Sequence, residues 1–200
     1  MKKVIQLLLL AVVVALGYWL YTIILTPIEF EAAKKEREVV IIERLKDVRK
    51  AQQAFKTAYG HYTTTFDSLI NFVEKDSLTF EIKFGSEDDS LAVAQGKVRT
   101  EKIRIAVKDT IFTKGFDAKA LRYVPFSNNT EFIMDATELT TESKIVIPVF
   151  EAKAPFKTYL EDLDTQLLIN AIDAAKTINK YPGLKVGSLT SATNDAGNWE

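Results

Sequence analysis

The sequence predicts an α+β protein: an N-terminal transmembrane helix, a long amphipathic helix packed on an antiparallel sheet, a C-terminal helix and a flexible tail. Three observations carry that class. Val4 to Leu25 is a run of 22 residues without a charge. Glu29 to Tyr59 holds neither glycine nor proline. From Ser77 onward the apolar residues change from helical spacing to alternation, and strands follow one another without helical segments between them, which favours an antiparallel sheet over a parallel α/β arrangement.

The apolar run opens the chain. At about 1.5 Å per residue its 22 residues reach roughly 33 Å, enough to cross the hydrocarbon core of a bilayer. A helix there satisfies its own backbone hydrogen bonds, and only Gln6, Gly17 and Thr22 interrupt the apolar character. Tyr18, Trp19 and Tyr21 suit a membrane interface. A cleaved signal peptide competes with this reading: Lys2 and Lys3 form a basic start, Leu7 to Val14 an apolar centre, and Ala15-Leu16-Gly17 a small-x-small site. The run continues for eight residues past Gly17, which favours an uncleaved anchor over residues 1–27. Lys34, Lys35 and Arg37 on the far side nearly balance Lys2, Lys3 and the terminal amine. The short basic start decides for a cytoplasmic N-terminus and a domain outside.

Pro27 disfavours helical geometry at Thr26 and predicts a kink or an end to the membrane helix there. A second helix of about 30 residues follows, on the length of the Gly- and Pro-free stretch. Ile41, Leu45, Val48, Gln52, Phe55 and Tyr59 recur at steps of three and four and form one stripe. Packing on the domain's own sheet is the favoured use of that stripe. A coiled coil is the alternative, which makes Ile41, Leu45 and Val48 candidate partner-binding residues, but the stripe spans under three heptads and contains polar Gln52. The first turns, EFEAAKKEREVV, are charged nearly all round, with Glu31 and Lys35 spaced for an i,i+4 pair. They read as a solvated stretch that holds the domain away from the membrane. Gly60 stops the helix.

The strands are expected in LTFEIKF (78–84), LAVAQG (91–96), KVRTEKIRIAV (97–107), TEFIMDATEL (130–139) and KIVIPVF (144–150). Pro148 belongs at an edge or a bulge. Asp164 caps a helix reaching Asn179, with Leu167, Leu168, Ala171, Ile172, Ala175 and Ile178 on its buried face. Tyr181-Pro182-Gly183 ends it. The main domain is read as 28–187. Residues 188–200, small and polar, are read as a loose tail whose removal leaves folding intact.

Chemistry is sparse. With 26 basic and 27 acidic residues the net charge is −1, without the basic footprint of a nucleic-acid binder. The chain has no cysteine and one histidine, His61, so thiolate sites, disulfides and His-rich metal centres are excluded. No glycine-rich phosphate loop occurs. Glu87-Asp88-Asp89 and Glu161-Asp162-Asp164 offer carboxylates to a hard cation, but neither has EF-hand spacing, and turn acids and helix capping account for them. His61 reads as a loop residue rather than a general base, and Asn128-Asn129-Thr130 as a chance acceptor triplet. Trp199, near the chain end, is the remaining candidate for partner binding, because buried tryptophans dominate interface energetics. No catalytic residue, cofactor or metal ligand is expected.

The stretch RLKDVRKAQQAFKTAYGHYTTTFDSL (44–69) resembles the helix-to-loop segment of type IV pilins and type II secretion pseudopilins, in which an Arg/Ala/Gln/aromatic helix ends in a Tyr-Gly-x-Tyr turn before a leucine. The order of apolar helix, amphipathic helix and antiparallel sheet is similar as well. Where pilins carry a glutamate after the processed glycine and aromatic, this chain has Thr22, so the resemblance does not extend to peptidase processing or filament assembly. The whole chain, with its ending YPGLKVGSLTSATNDAGNWE, also resembles single-pass envelope proteins of Bacteroidota-type bacteria. Together these imply a bacterial inner membrane, a pilin-like periplasmic domain, and protein partners in an envelope complex. The expected role is a non-enzymatic scaffold or adaptor. The alternative is a membrane-anchored enzyme or ligand-binding domain using the acidic clusters.

Overall fold

A computed structural model describes residues 2–84, 99–113 and 115–200. The expected strand at 91–96 and the acidic group Glu87-Asp88-Asp89 lie outside the described residues. The fold is α+β, with a long N-terminal helix, two small antiparallel sheets and a C-terminal helix and strand. The chain forms two compact units: the first comprises Met1–Glu43, Val124–Thr130 and Ala154–Leu184, the second Arg44–Tyr123, Glu131–Lys153 and Lys185–Glu200.

Helix α1 is a single element, Lys2–Tyr59, with Pro27 inside it. The expected break is therefore absent. The Thr26 hydroxyl donates to the Thr22 carbonyl at 2.8 Å and the Thr22 hydroxyl to the Trp19 carbonyl at 2.8 Å, so side chains add backbone hydrogen bonds in the turn that the proline weakens. This is a helix long and apolar enough to cross a membrane, with a mean hydropathy of 2.4 in its most apolar stretch and none of that stretch buried.

In the first unit, the charged turns after Pro27 are solvated on one face only, the other being packed. Phe30 is buried, and the stripe runs on through Lys34 and Arg37 to Ile41 at the same steps of four, three and four. Lys34 Nζ sits 5.4 Å from the centre of the Phe156 ring, and Arg37 Cζ 5.4 Å from that of Phe126. Long cationic stems cover apolar surface while their heads reach polar partners. The Arg37 guanidinium donates to both carboxylate oxygens of Asp162, at 2.5 and 2.7 Å, and to the Tyr159 carbonyl at 2.6 Å. Glu31 pairs with Lys34 at 3.4 Å rather than with Lys35.

Two short helices complete this unit. Helix α4, Phe156–Leu160, follows directly from the strand Val146–Pro155 and buries Phe156, Tyr159 and Leu160. Helix α5, Thr165–Thr177, begins at Asp164, whose carboxylate accepts from the Leu167 N–H at 2.9 Å as expected. Of its predicted apolar face Leu168 is buried, Leu167, Ala171, Ile172 and Ala175 are half-buried, and Ile178 is exposed.

The second unit packs the rest of α1. Leu45 and Val48 are completely buried, as is Ile41 in the first unit, so none of the three is a surface for a partner, and the coiled-coil use of the stripe is overturned. Gln52 fits the stripe because its amide donates to the Thr63 carbonyl at 2.8 Å and accepts from the Thr63 N–H at 3.1 Å. Gly60, at φ +81°, ends the helix with its N–H on the Lys56 carbonyl. Helix α2, Phe66–Lys75, starts at the Thr65 cap and buries Phe66, Leu69, Phe72 and Val73. Strands β1, Ser77–Phe84, and β2, Arg99–Ala106, pair antiparallel from Ser77 opposite Ala106 to Phe84 opposite Arg99. Helix α3, Val107–Ile111, and a 3₁₀ turn, Ala118–Leu121, lead to the second sheet.

That sheet has the order β3-β4-β5, with β3 Ile133–Thr140, β4 Val146–Pro155 and β5 Gly183–Gly187. Pro148 lies in β4 opposite Glu138. Strand β5 approaches the other half of β4, near Phe150 and Ala154, so Pro148 stands in the middle strand of the sheet, in regular register with β3 and without a bulge, rather than on an edge strand.

Residues 188–200 are not a loose tail. After Gly187 the chain turns at Thr193-Asn194-Asp195-Ala196, with Asn194 and Asp195 at φ +52° and +59° and the Ala196 N–H on the Thr193 carbonyl at 3.1 Å. It then runs back along β5. Gly187 N–H donates to Ala196 O, and Asn198 N–H to Lys185 O, each at 3.0 Å, around a bridge between Val186 and Gly197. Arg49 holds the return from α1, donating to Asp195 O at 3.1 Å and to the Glu200 carboxylate at 2.8 Å. The reason is turn chemistry: Asn and Asp tolerate the left-handed region that this hairpin requires, and the backbone pairing needs no apolar periodicity.

Candidate functional site

Folding the C-terminal segment back creates a cavity of about 230 Å³ in the second unit. One wall is the β4 run Ile147-Pro148-Val149, opposite the loop from Ser188 to Asp195, with Lys56 and Tyr62 at its base. The wall exists because β5 stops short of this part of β4. This run therefore lines the cavity together with a loop rich in hydroxyls instead of another strand.

Tyr62 organises the base. Its ring is buried, tilted on Phe150 with centroids 4.8 Å apart, and Lys56 Nζ stands 4.9 Å from its centre. The phenol donates to an Asp195 carboxylate oxygen at 2.7 Å and accepts from Lys56 Nζ at 3.4 Å. Burial, then the hydrogen bond and charge of Asp195, push the phenol's pKa well above its ordinary value. Tyr62 is thus a fixed donor to Asp195. Gln53 donates to the same oxygen at 3.1 Å. One hydroxyl therefore lies between a cation and an anion at the edge of one cavity. Among the described residues no carboxylate comes within 4.0 Å of Lys56 Nζ, and no cationic side chain within 4.0 Å of the Asp195 carboxylate.

The residues singled out from sequence lie mostly elsewhere. Trp199 sits half-buried against Gly197, where an added Cβ would overlap the indole ring. Its buried Nε1 has no acceptor among the described residues. His61 packs edge-on against Phe55 at 5.7 Å, with Nδ1 3.1 Å from the Tyr59 carbonyl. Asp162 is engaged by Arg37 and Asp164 by the α5 N-terminus, so the second acidic cluster is committed to structure. No group of three or more metal-ligating side chains converges among the described residues. Asn128, Asn129 and Thr130 are exposed in a turn that Ser127 closes by accepting from the Thr130 N–H at 3.1 Å.

Sequence reasoning passed over Lys56, Tyr62 and Asp195 because no motif joins all three, although Tyr62 closes the Tyr-Gly-x-Tyr turn, and they come together only when the last residues fold back. The pair Asn194-Asp195, a left-handed turn dipeptide, was the available signal.

Fold and cavity define an α+β protein with an N-terminal helix of membrane-spanning length and a small mixed-polarity pocket. No protein family, curated protein or solved structure matches the chain.

Proposed function

We propose that the protein is a non-enzymatic, membrane-tethered scaffold or adaptor of a bacterial envelope assembly, held in the inner membrane by Val4 to Leu25 with its folded part in the periplasm. The observation that carries the reading is the apolar first half of α1, which is unburied in the chain and continues without interruption into residues packed in the folded part. A protein built this way fixes other components at a set distance from a bilayer. The order of apolar helix, amphipathic helix and antiparallel strands adds support for a pilin-like domain.

The test is affinity purification of the full chain from membranes in mild detergent, with quantitative identification of what accompanies it. Stoichiometric recovery of other envelope proteins is the expected outcome. A chain that purifies alone and turns over a substrate defeats the reading.

A further inference from the structure

The cavity beside Tyr62 belongs to no part of the scaffold reading. Lys56 and Asp195 flank it with opposite charges, bridged by the Tyr62 hydroxyl and with no direct ion pair to either among the described residues. The fixing is thorough: the Lys56 ammonium lies over the Tyr62 ring, and Asp195 is held by Tyr62, by Gln53 and, through its backbone, by Arg49. Such preorganisation suits recognition, because the ordering cost is met before a ligand arrives.

We propose that this cavity binds a small zwitterionic amino acid with an apolar side chain. Its carboxylate meets the Lys56 ammonium and the Thr193 hydroxyl, its ammonium meets Asp195, and its side chain lies against the β4 run Ile147-Pro148-Val149 that lines the cavity. Charge decides among ligand classes. A free inorganic anion meets Lys56 but is repelled by Asp195, and a neutral sugar leaves both charges unpaired, whereas a zwitterion answers each with its opposite. Size agrees, since about 230 Å³ is below the roughly 300 Å³ at which sites for drug-sized ligands begin and suits a single residue. The site is independent of the membrane anchor and of the scaffold reading.

The test is calorimetric titration of the full-length protein in detergent with valine, N-acetylvaline, valinamide, glucose and inorganic phosphate. Valine alone should bind, because acetylation removes the ammonium and amidation the carboxylate. Lys56→Met and Asp195→Asn should each weaken valine binding by about tenfold or more. Asparagine keeps the left-handed turn and an acceptor for Tyr62, so melting temperature reports separately whether that variant folds. Absence of valine binding at about 10 mM, a threshold for weak affinity, overturns the proposal. So does equal binding of N-acetylvaline or valinamide, or a preference for glucose or phosphate. The analogue series needs no variant and decides the matter even if a substitution unfolds the protein.

Discussion

Gly187 and Gly60 both sit in the left-handed region, at φ +74° and +81°, but their surroundings differ. A Cβ at Gly187 would overlap the Phe150 carbonyl oxygen, while nothing lies within 4 Å of one at Gly60. Gly60→Ala should therefore cost only the backbone strain, about 1 kcal/mol, and Gly187→Ala considerably more, about 3 kcal/mol. Denaturant unfolding of the two variants side by side checks the order. In the first unit two carboxyls near Tyr159 titrate in opposite senses. The Arg37 hydrogen bond holds Asp162 below the usual carboxylate range, whereas burial pushes Glu38 above it despite Lys34 and Tyr159. The stability due to Asp162 is present above its unfolded pKa of about 4 and lost as pH falls through its folded value. That due to Glu38 is present below about pH 4 and lost as pH rises through its folded value. Asp162→Asn should thus flatten the acid limb of a melting-temperature profile, and Glu38→Gln should raise the melting temperature at neutral pH with no effect at low pH. Parallel profiles for both variants and the parent would contradict these assignments.

The last thirteen residues are tied to the second unit by a bridge beside β5 and by Arg49, which reverses what their composition suggests. Deleting 188–200 should lower the melting temperature, since it removes the pairing along β5, the Arg49 contacts and the hydroxyl-rich wall of the cavity. Thermal unfolding of the truncated chain measures this. An unchanged midpoint would mean the pairing contributes nothing. Much of the remaining architecture was readable. The α1 stripe from Ile41 to Phe55, the Gly60 stop, the Asp164 cap and the alternating strands all follow from local pattern and turn chemistry. Three features were not, for identifiable reasons. A proline alone does not tell a helix end from a helix that runs on, and α1 continues past Pro27. Hydrophobicity counting misses Lys34 and Arg37 because charged heads set over the Phe156 and Phe126 rings do not register as apolar positions. The cavity joins residue 56 to residue 195, a pairing that no local window contains.

At the level of the complete chain, the full-length protein should sediment with membranes and resist carbonate extraction, because the most apolar stretch of α1 finds no cover within the chain. Immunoblotting of supernatant and pellet is sufficient. Recovery of a soluble form shortened by about 17 residues, the length set by the small-x-small site, would instead establish cleavage at Ala15-Leu16-Gly17. The uninterrupted course of α1 has one more effect. The helix whose apolar stretch is long enough to cross a membrane also presents Lys34 to Phe156 and Arg37 to Phe126 and Asp162. The angular position of the helix in the bilayer is consequently the compass bearing of the first unit about the membrane normal. Inserting one alanine between Leu16 and Gly17 swings that bearing by about 100° while raising the unit only about 1.5 Å, whereas seven residues nearly restore the bearing and raise it by about 10 Å. An assembly that reads direction would fail with the first insertion and tolerate the second, and one that reads height would do the opposite.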